Sequence, residues 1–183
     1  MNISILLPYK ENFSESYAGA VALYVNDTVK ISKHRKKITI YGNTNFKKTF
    51  DLNYENIPLK KSLLKSQSKL YVSEFIKTQK QNSKNFIEVH NRPVYIDLIR
   101  EKLTQKLVLY FHNDPLSMAG SKTLSERFRL VTICSKIVFN SQTSLLTKSF
   151  NITSADVAVT ADVIDNAVRR ISCRRCKNLA KNG

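Results

Sequence analysis

The chain has 183 residues, with 30 Lys+Arg against 14 Asp+Glu for a formal charge of +16, and 42% of its residues are apolar. That length supports one complete domain, alone or with a tail, and the apolar content can bury a core without disulfide staples, which excludes disorder as a description of the whole chain. The longest apolar run, Ala20 to Val25, falls far short of the roughly 20 residues a membrane span needs, and the first residues lack the basic segment and cleavage site of a signal peptide.

Asn2 to Leu7 reads as a buried strand stopped by Pro8, followed by a polar loop from Tyr9 to Tyr17. Ala18-Gly19-Ala20 opens an apolar helix through Val21, Leu23, Val25 and Val29 that is expected to end near His34. Ile38-Thr39-Ile40-Tyr41, closed by Gly42-Asn43, is a second strand. Leu59 to Ser83 carries Leu63, Leu64, Leu70, Val72, Phe75 and Ile76 among lysines, a pattern of one or two amphipathic helices with a basic outer face. Phe86-Ile87-Glu88-Val89 is a third strand, and Pro93 suits the first residue of a helix running through Tyr95, Ile96, Leu98, Ile99 and Leu103. Leu107 to Phe111 is a fourth strand, apolar throughout, as a central strand covered on both faces should be. Thr123-Leu124-Ser125-Glu126 fits a capping box, which starts a helix through Leu130 and Ile133. Ile137-Val138-Phe139 is a fifth strand, Thr143 to Phe150 a short helix, and Asp156-Val157-Ala158-Val159 a candidate last strand. Strands alternating with helices in this way predict an α/β, Rossmann-like three-layer domain with a mostly parallel sheet. The domain is expected to span residues 1–150, and residues 151–183 a short basic tail with no second domain.

Positive charge is densest between Lys30 and Lys84, where Lys33, Arg35, Lys36, Lys37, Lys47 and Lys48 precede Lys60, Lys61, Lys65, Lys69, Lys77 and Lys80. Such a field attracts phosphorylated small molecules, an anionic membrane or nucleic acid. The sequence lacks zinc-finger spacing, an RNP1 string and a basic zipper, so nucleic acid is the weaker specific partner. Three cysteines without framework spacing fit a reducing compartment. Cys173 and Cys176 form a lone C-x-x-C with no second pair to complete a zinc site, and no metal is expected.

In an open parallel sheet, ligands bind beyond the carboxyl ends of the strands. Gly19 lies after the first strand, at a helix N-terminus where backbone N–H groups favour a phosphate, although a lone glycine equally serves close helix–sheet packing. His90-Asn91-Arg92-Pro93 follows the third strand and His112-Asn113-Asp114-Pro115 the fourth. Two His-Asn pairs at equivalent strand ends would line one crevice suited to sugar hydroxyls or phosphate oxygens, with Arg92 offering a bidentate fork.

The strings Phe86-Ile-Glu-Val-His-Asn-Arg-Pro93, Tyr110-Phe-His-Asn-Asp-Pro-Leu-Ser-Met-Ala-Gly-Ser121, Glu126-Arg127 and Ile137-Val-Phe-Asn-Ser-Gln142 together resemble the N-terminal half of family 4 glycosyltransferases. The similarity is to the bacterial subgroup associated with lipopolysaccharide and other cell-envelope glycans, and it covers about residues 1–150. The resemblance implies the acceptor-side domain of a GT-B fold and retaining transfer of a sugar from a nucleotide-diphosphate donor, without a required metal or cofactor. It places Gly19 near the donor diphosphate and His112 at the donor sugar as the catalytic residue. His90, Asn91, Arg92, Asn113 and Asp114 would line the acceptor side of the cleft. The family's second domain, which holds most of the nucleotide, has no counterpart in residues 151–183, so a separate donor-domain chain is a possible partner. The expected acceptor is a glycan or glycolipid, and the expected location is cytoplasmic, at the inner face of the membrane. A reading of a different class is a non-catalytic basic module that binds anionic membrane or glycolipid through its lysine-rich helices.

Overall fold

Isoleucine- and valine-rich runs too short for helices form the strands, and the amphipathic stretches between them pack as covering helices. In the computed structural model, residues 2–59, 66–79 and 85–139 are described. Ile3–Leu6 (β1) leads through a loop to Ala20–Ile31 (α1), then to Ile38–Gly42 (β2) and Tyr54–Asn56 (β3). Gln67–Thr78 (α2), Phe86–His90 (β4), Val94–Arg100 (α3), Lys106–Phe111 (β5), Leu124–Ile133 (α4) and Lys136–Phe139 (β6) follow. The six strands form one sheet in the order β3-β2-β1-β4-β5-β6, with every pairing parallel. This is an α/β, Rossmann-like three-layer arrangement, and the strand order reverses direction between β1 and β4.

Because side chains alternate across a strand, each strand feeds two cores. Ile3, Ile5 and Leu7 join Ile38 and Ile40 beneath Val21, Val25 and Val29 of α1, closed at one end by Phe13 and Phe50. On the other face, Leu6, Ile87, Val89, Leu107, Leu109 and Phe111 pack against Tyr71, Val72 and Phe75 of α2, Ile96 and Ile99 of α3, and Leu130 of α4. Glu88 and His90 therefore share the α1 side of β4 with no apolar residue between them. Both are 2% exposed.

The structure differs from the sequence expectations at several ends. The first helix stops at Ile31, and a 3-10 turn over Arg35–Lys37 fills the stretch before β2. The third helix ends at Arg100 rather than reaching Leu103, where Arg100 reaches the Leu103 and Gln105 carbonyls that follow. Within Leu59 to Ser83 the described helix is Gln67–Thr78, and Leu59 lies outside it. Tyr54–Asn56 adds an edge strand that three half-polar residues did not reveal. The capping box is present: Glu126 N–H donates to Thr123 Oγ1 at 3.2 Å, and Thr123 N–H donates to Glu126 Oε2 at 2.9 Å. The helix expected at Thr143 to Phe150, the strand at Asp156 to Val159, the boundary near Asn151 and the tail with Cys173 and Cys176 lie outside the described residues.

Tyr71 ties α2 to the carboxyl ends of β1 and β2. Its ring is fully buried, and its hydroxyl lies 3.0 Å from the Leu7 carbonyl oxygen and 3.3 Å from that of Tyr41. Removing the hydroxyl leaves a buried carbonyl without its donor. Tyr71→Phe is expected to lose about 1–2 kcal/mol in urea denaturation; an unchanged midpoint would mean that the hydroxyl adds nothing net.

Candidate functional site

The strand order reverses between β1 and β4, the place where open parallel sheets bind ligands beyond the carboxyl ends of their strands, and His90 is the last residue of β4 there. Parallel pairing sets His90 beside Tyr110, and the two rings stack at 4.6 Å between centroids and 2° between planes. His112 follows two residues after Tyr110, on the same side of the sheet. His90 Nδ1 and His112 Nε2 are 2.9 Å apart, so one nitrogen donates and the other accepts. The Tyr24 ring, from α1, meets the His112 ring in a T-shaped contact, with 4.8 Å between centroids. The two histidines singled out in the sequence thus share one hydrogen bond, with His90 buried behind a half-buried His112.

Asn91 makes this contact possible. Its φ of 55° lies in the left-handed region, which Asn tolerates better than most residues. Its backbone N–H donates to the Tyr110 carbonyl at 2.7 Å, and its side-chain Oδ1 accepts from the N–H groups of His112 and Asn113, each at 3.3 Å. Asn91 therefore clamps the end of β4 to the end of β5 and fixes where His112 leaves the sheet.

Burial sets the charge states. Desolvation pushes the Glu88 carboxyl up to about 7 and the His90 imidazole down to about 3. Burial, then the neighbouring His90, brings His112 down to about 3. Glu88 Oε2 lies 3.7 Å from His90 Nε2, a distance that admits an ion pair. The shifts instead leave His90 uncharged at neutral pH, so the contact is not a salt bridge. Burial, with Glu88 adding repulsion, raises Tyr24 to about 12, and Tyr110 is raised for the same two reasons. At neutral pH this is a cluster of uncharged hydrogen-bonding rings backed by one titrating carboxyl.

The remaining sequence candidates take different positions. Gly19 is the N-cap of α1, but the space above it holds the Glu11 carboxylate: Ala22 N–H donates to Glu11 Oε1 at 3.0 Å, and a Cβ at position 19 would overlap that group. The anion at this helix N-terminus is the protein's own side chain. Arg92 donates from Nη1 to the Asn91 carbonyl at 2.9 Å. Asp114 caps a 3-10 turn over Pro115–Ser117, its Oδ1 accepting from Leu116 N–H at 2.9 Å. The Asn113 side chain is exposed beside the cluster. Further along, Ser121 Oγ donates to the Pro115 carbonyl, and Gly120 at φ 88° allows close approach to Val94, where a Cβ would lie 2.9 Å from the backbone nitrogen. Much of the string from His112 to Ser121 therefore builds the loop rather than lining the crevice.

Glu88, Tyr24 and Tyr110 complete the cluster without having been singled out in the sequence. Glu88 carried a signal: an acid within an otherwise apolar central strand must be covered on one side. Tyr24 carried none, because its contact depends on how α1 lies across the sheet. Among the described residues no helix is long and apolar enough to cross a membrane. Comparison of the chain with protein-family models and with curated proteins finds no match.

The Glu88 shift has a definite sign. The unfolded carboxyl titrates at its ordinary 4.5 and the folded one at about 7, so the folded state holds an extra proton between these values and loses stability as pH rises through them. His90 and His112, lowered from 6.5 to about 3, act oppositely, losing stability as pH falls below 6.5. Glu88→Gln isolates the first effect. Its stability relative to wild type is expected to rise by roughly 3 kcal/mol between pH 4.5 and pH 8. Denaturation curves at both pH values measure this, and a difference independent of pH would mean that the carboxyl is open to bulk solvent.

Proposed function

We propose that this chain is the acceptor-side domain of a retaining, GT-B-type glycosyltransferase that acts on a cell-envelope glycan or lipid-linked acceptor at the inner face of the membrane. The supporting observation is the His90–His112 hydrogen bond at the sheet's reversal point, with His112 on the outer side. The donor is a nucleotide-diphosphate sugar, held mainly by a second domain on a longer or separate chain. His112 contacts the donor sugar. An imidazole kept neutral suits that place, because an imidazolium would oppose the positive charge that develops at the anomeric carbon. Asn91 and His90 hold His112 in position, while Arg92 and Asn113 stand on the acceptor side. A diphosphate approaching the N-terminus of α1 would have to displace the Glu11 carboxylate, after which the free N–H groups would take a phosphate oxygen.

Release of nucleoside diphosphate by this domain joined to its donor-binding partner tests the reading. His112→Ala is expected to lower kcat by about 100- to 1,000-fold, the usual effect of deleting one preorganised hydrogen bond to developing charge. Undiminished turnover would remove His112 from the mechanism.

A second reading, a basic module that binds anionic membrane, is favoured by the groove between α2 and α3. Val72, Ile76 and Leu98 form its floor, and Lys69, Lys77 and Lys102 stand around it with Glu101, enclosing about 310 Å³. Binding to anionic vesicles is expected to weaken with salt and to fall in Lys69→Glu/Lys102→Glu, while His112→Ala binds like wild type. Equal binding to neutral vesicles would exclude this reading.

A further inference from the structure

We propose that Glu88 is a positioning residue that, acting through His90, sets which nitrogen of His112 carries the proton. The three groups form a line from the interior to the crevice. Glu88 Oε2 is 3.7 Å from His90 Nε2, and His90 Nδ1 is 2.9 Å from His112 Nε2. The first gap is too long for a direct hydrogen bond. Glu88 and His90 both border a cavity of about 10 Å³, together with Tyr24, Thr28 and Ser32. That is the space one water requires, and these side chains supply its polar partners. His90 Nε2 is fully buried with no protein hydrogen-bond partner, and the His90 residue lines the same space.

A neutral imidazole carries a single N–H, so the proton positions along the line are coupled. When Glu88 is protonated, it donates through the water to His90 Nε2. His90 then carries its proton on Nδ1 and donates to His112 Nε2, which leaves the His112 proton on Nδ1. When Glu88 is ionised, His90 Nε2–H points toward the carboxylate and His90 Nδ1 accepts from His112 Nε2–H. His112 Nδ1 is then an acceptor. Passing between the two states moves the Glu88 proton to His90 Nε2, the His90 proton to His112 Nε2, and one proton from His112 Nδ1 to its surroundings. One proton leaves and no charge appears on either ring.

Among the described residues, the groups that border Glu88 and His90 supply no competing charge. From α1 and its C-cap, Tyr24 faces Glu88 with Thr28 and Ser32; from β5, Tyr110 stacks on His90; β1 and β2 contribute Ile3, Ile5 and Ile38. Both tyrosines are raised above their ordinary range and stay neutral. Lys106, on the same strand as Tyr110, lies over the ring of Phe86 at the opposite end of β4. Burial alone brings Glu88 to about 7, which places the switch near neutral pH.

Long-range proton–nitrogen NMR of the full chain with labelled histidine tests this, because ring nitrogens bearing a proton are distinguished from those without one. In wild type, the His112 proton is expected to move from Nδ1 to Nε2 as pH rises through about 7. In Glu88→Gln the amide N–H replaces the carboxylic acid, and the His112 proton stays on Nδ1 from pH 5.5 to pH 8.5, the range that brackets the wild-type midpoint by about 1.5 units on either side. A His112 tautomer that does not change in wild type over that range overturns the proposal. So does a change of the same size in the variant. The wild-type titration decides the matter even where the variant does not fold, and His34 reports any global change. The consequence for turnover rests on the glycosyl-transfer reading and the titration does not, so the two can fail separately.

Discussion

Asn91 turns the backbone left-handed directly after β4, and the geometry of the crevice depends on that turn. From that position its side-chain oxygen serves as the shared acceptor of the His112 and Asn113 N–H groups. The parallel register sets His90 beside Tyr110, and the clamp then brings His112 back over His90. Neither effect alone puts two imidazoles within hydrogen-bonding distance. A glycine would adopt the same backbone more easily but would lose the side-chain oxygen that gathers the two amides. The choice of Asn thus joins a conformational requirement to a hydrogen-bonding one.

The α1 side of β4 departs from the logic of the rest of the sheet. Elsewhere the buried positions of the central strands are aliphatic or aromatic, apart from Ser4, whose hydroxyl donates to Gln79 Oε1 at 2.8 Å. Here Glu88 and His90 occupy positions where an aliphatic pair would be more stabilising, since burying a carboxyl and an imidazole opposes their charged forms. Local rules broken in this way concentrate at functional sites. The aromatic surround of Tyr24 and Tyr110 shields the pair from bulk solvent. The two rings therefore stay uncharged at neutral pH, and Glu88 is the one group of the cluster that titrates there.

Much of the architecture was legible in the sequence. Each central strand announced itself as a short apolar run closed by a breaker or a polar pair, and the alternation with helices gave the parallel sheet. Tyr54–Asn56 escaped because an edge strand need not be apolar, and three residues carry no period. The two His-Asn pairs were correctly taken as neighbours, yet their division of labour was not visible. Asn91 and Asp114 are polar residues in a ligand-like context, and both spend their side-chain acceptors on backbone N–H groups, Asn91 on those beyond β5 and Asp114 on that of Leu116. A sequence lists such residues beside a crevice without telling a turn builder from a lining group. Only the fold separates them, as it also pairs Tyr24 with His112 across 88 positions of chain.

Glu11 reaches its place because Lys10 adopts φ 65°, closing a tight turn in which Glu11 N–H donates to the Pro8 carbonyl. With no acid in the first turn of α1 itself, this imported carboxylate is what balances the partial positive charge of that end of the helix. The domain consequently meets solvent with its most anion-hungry backbone already satisfied. Stray phosphate gains little by docking there, so an incoming ligand must win on further contacts, and selectivity begins with an internal competitor.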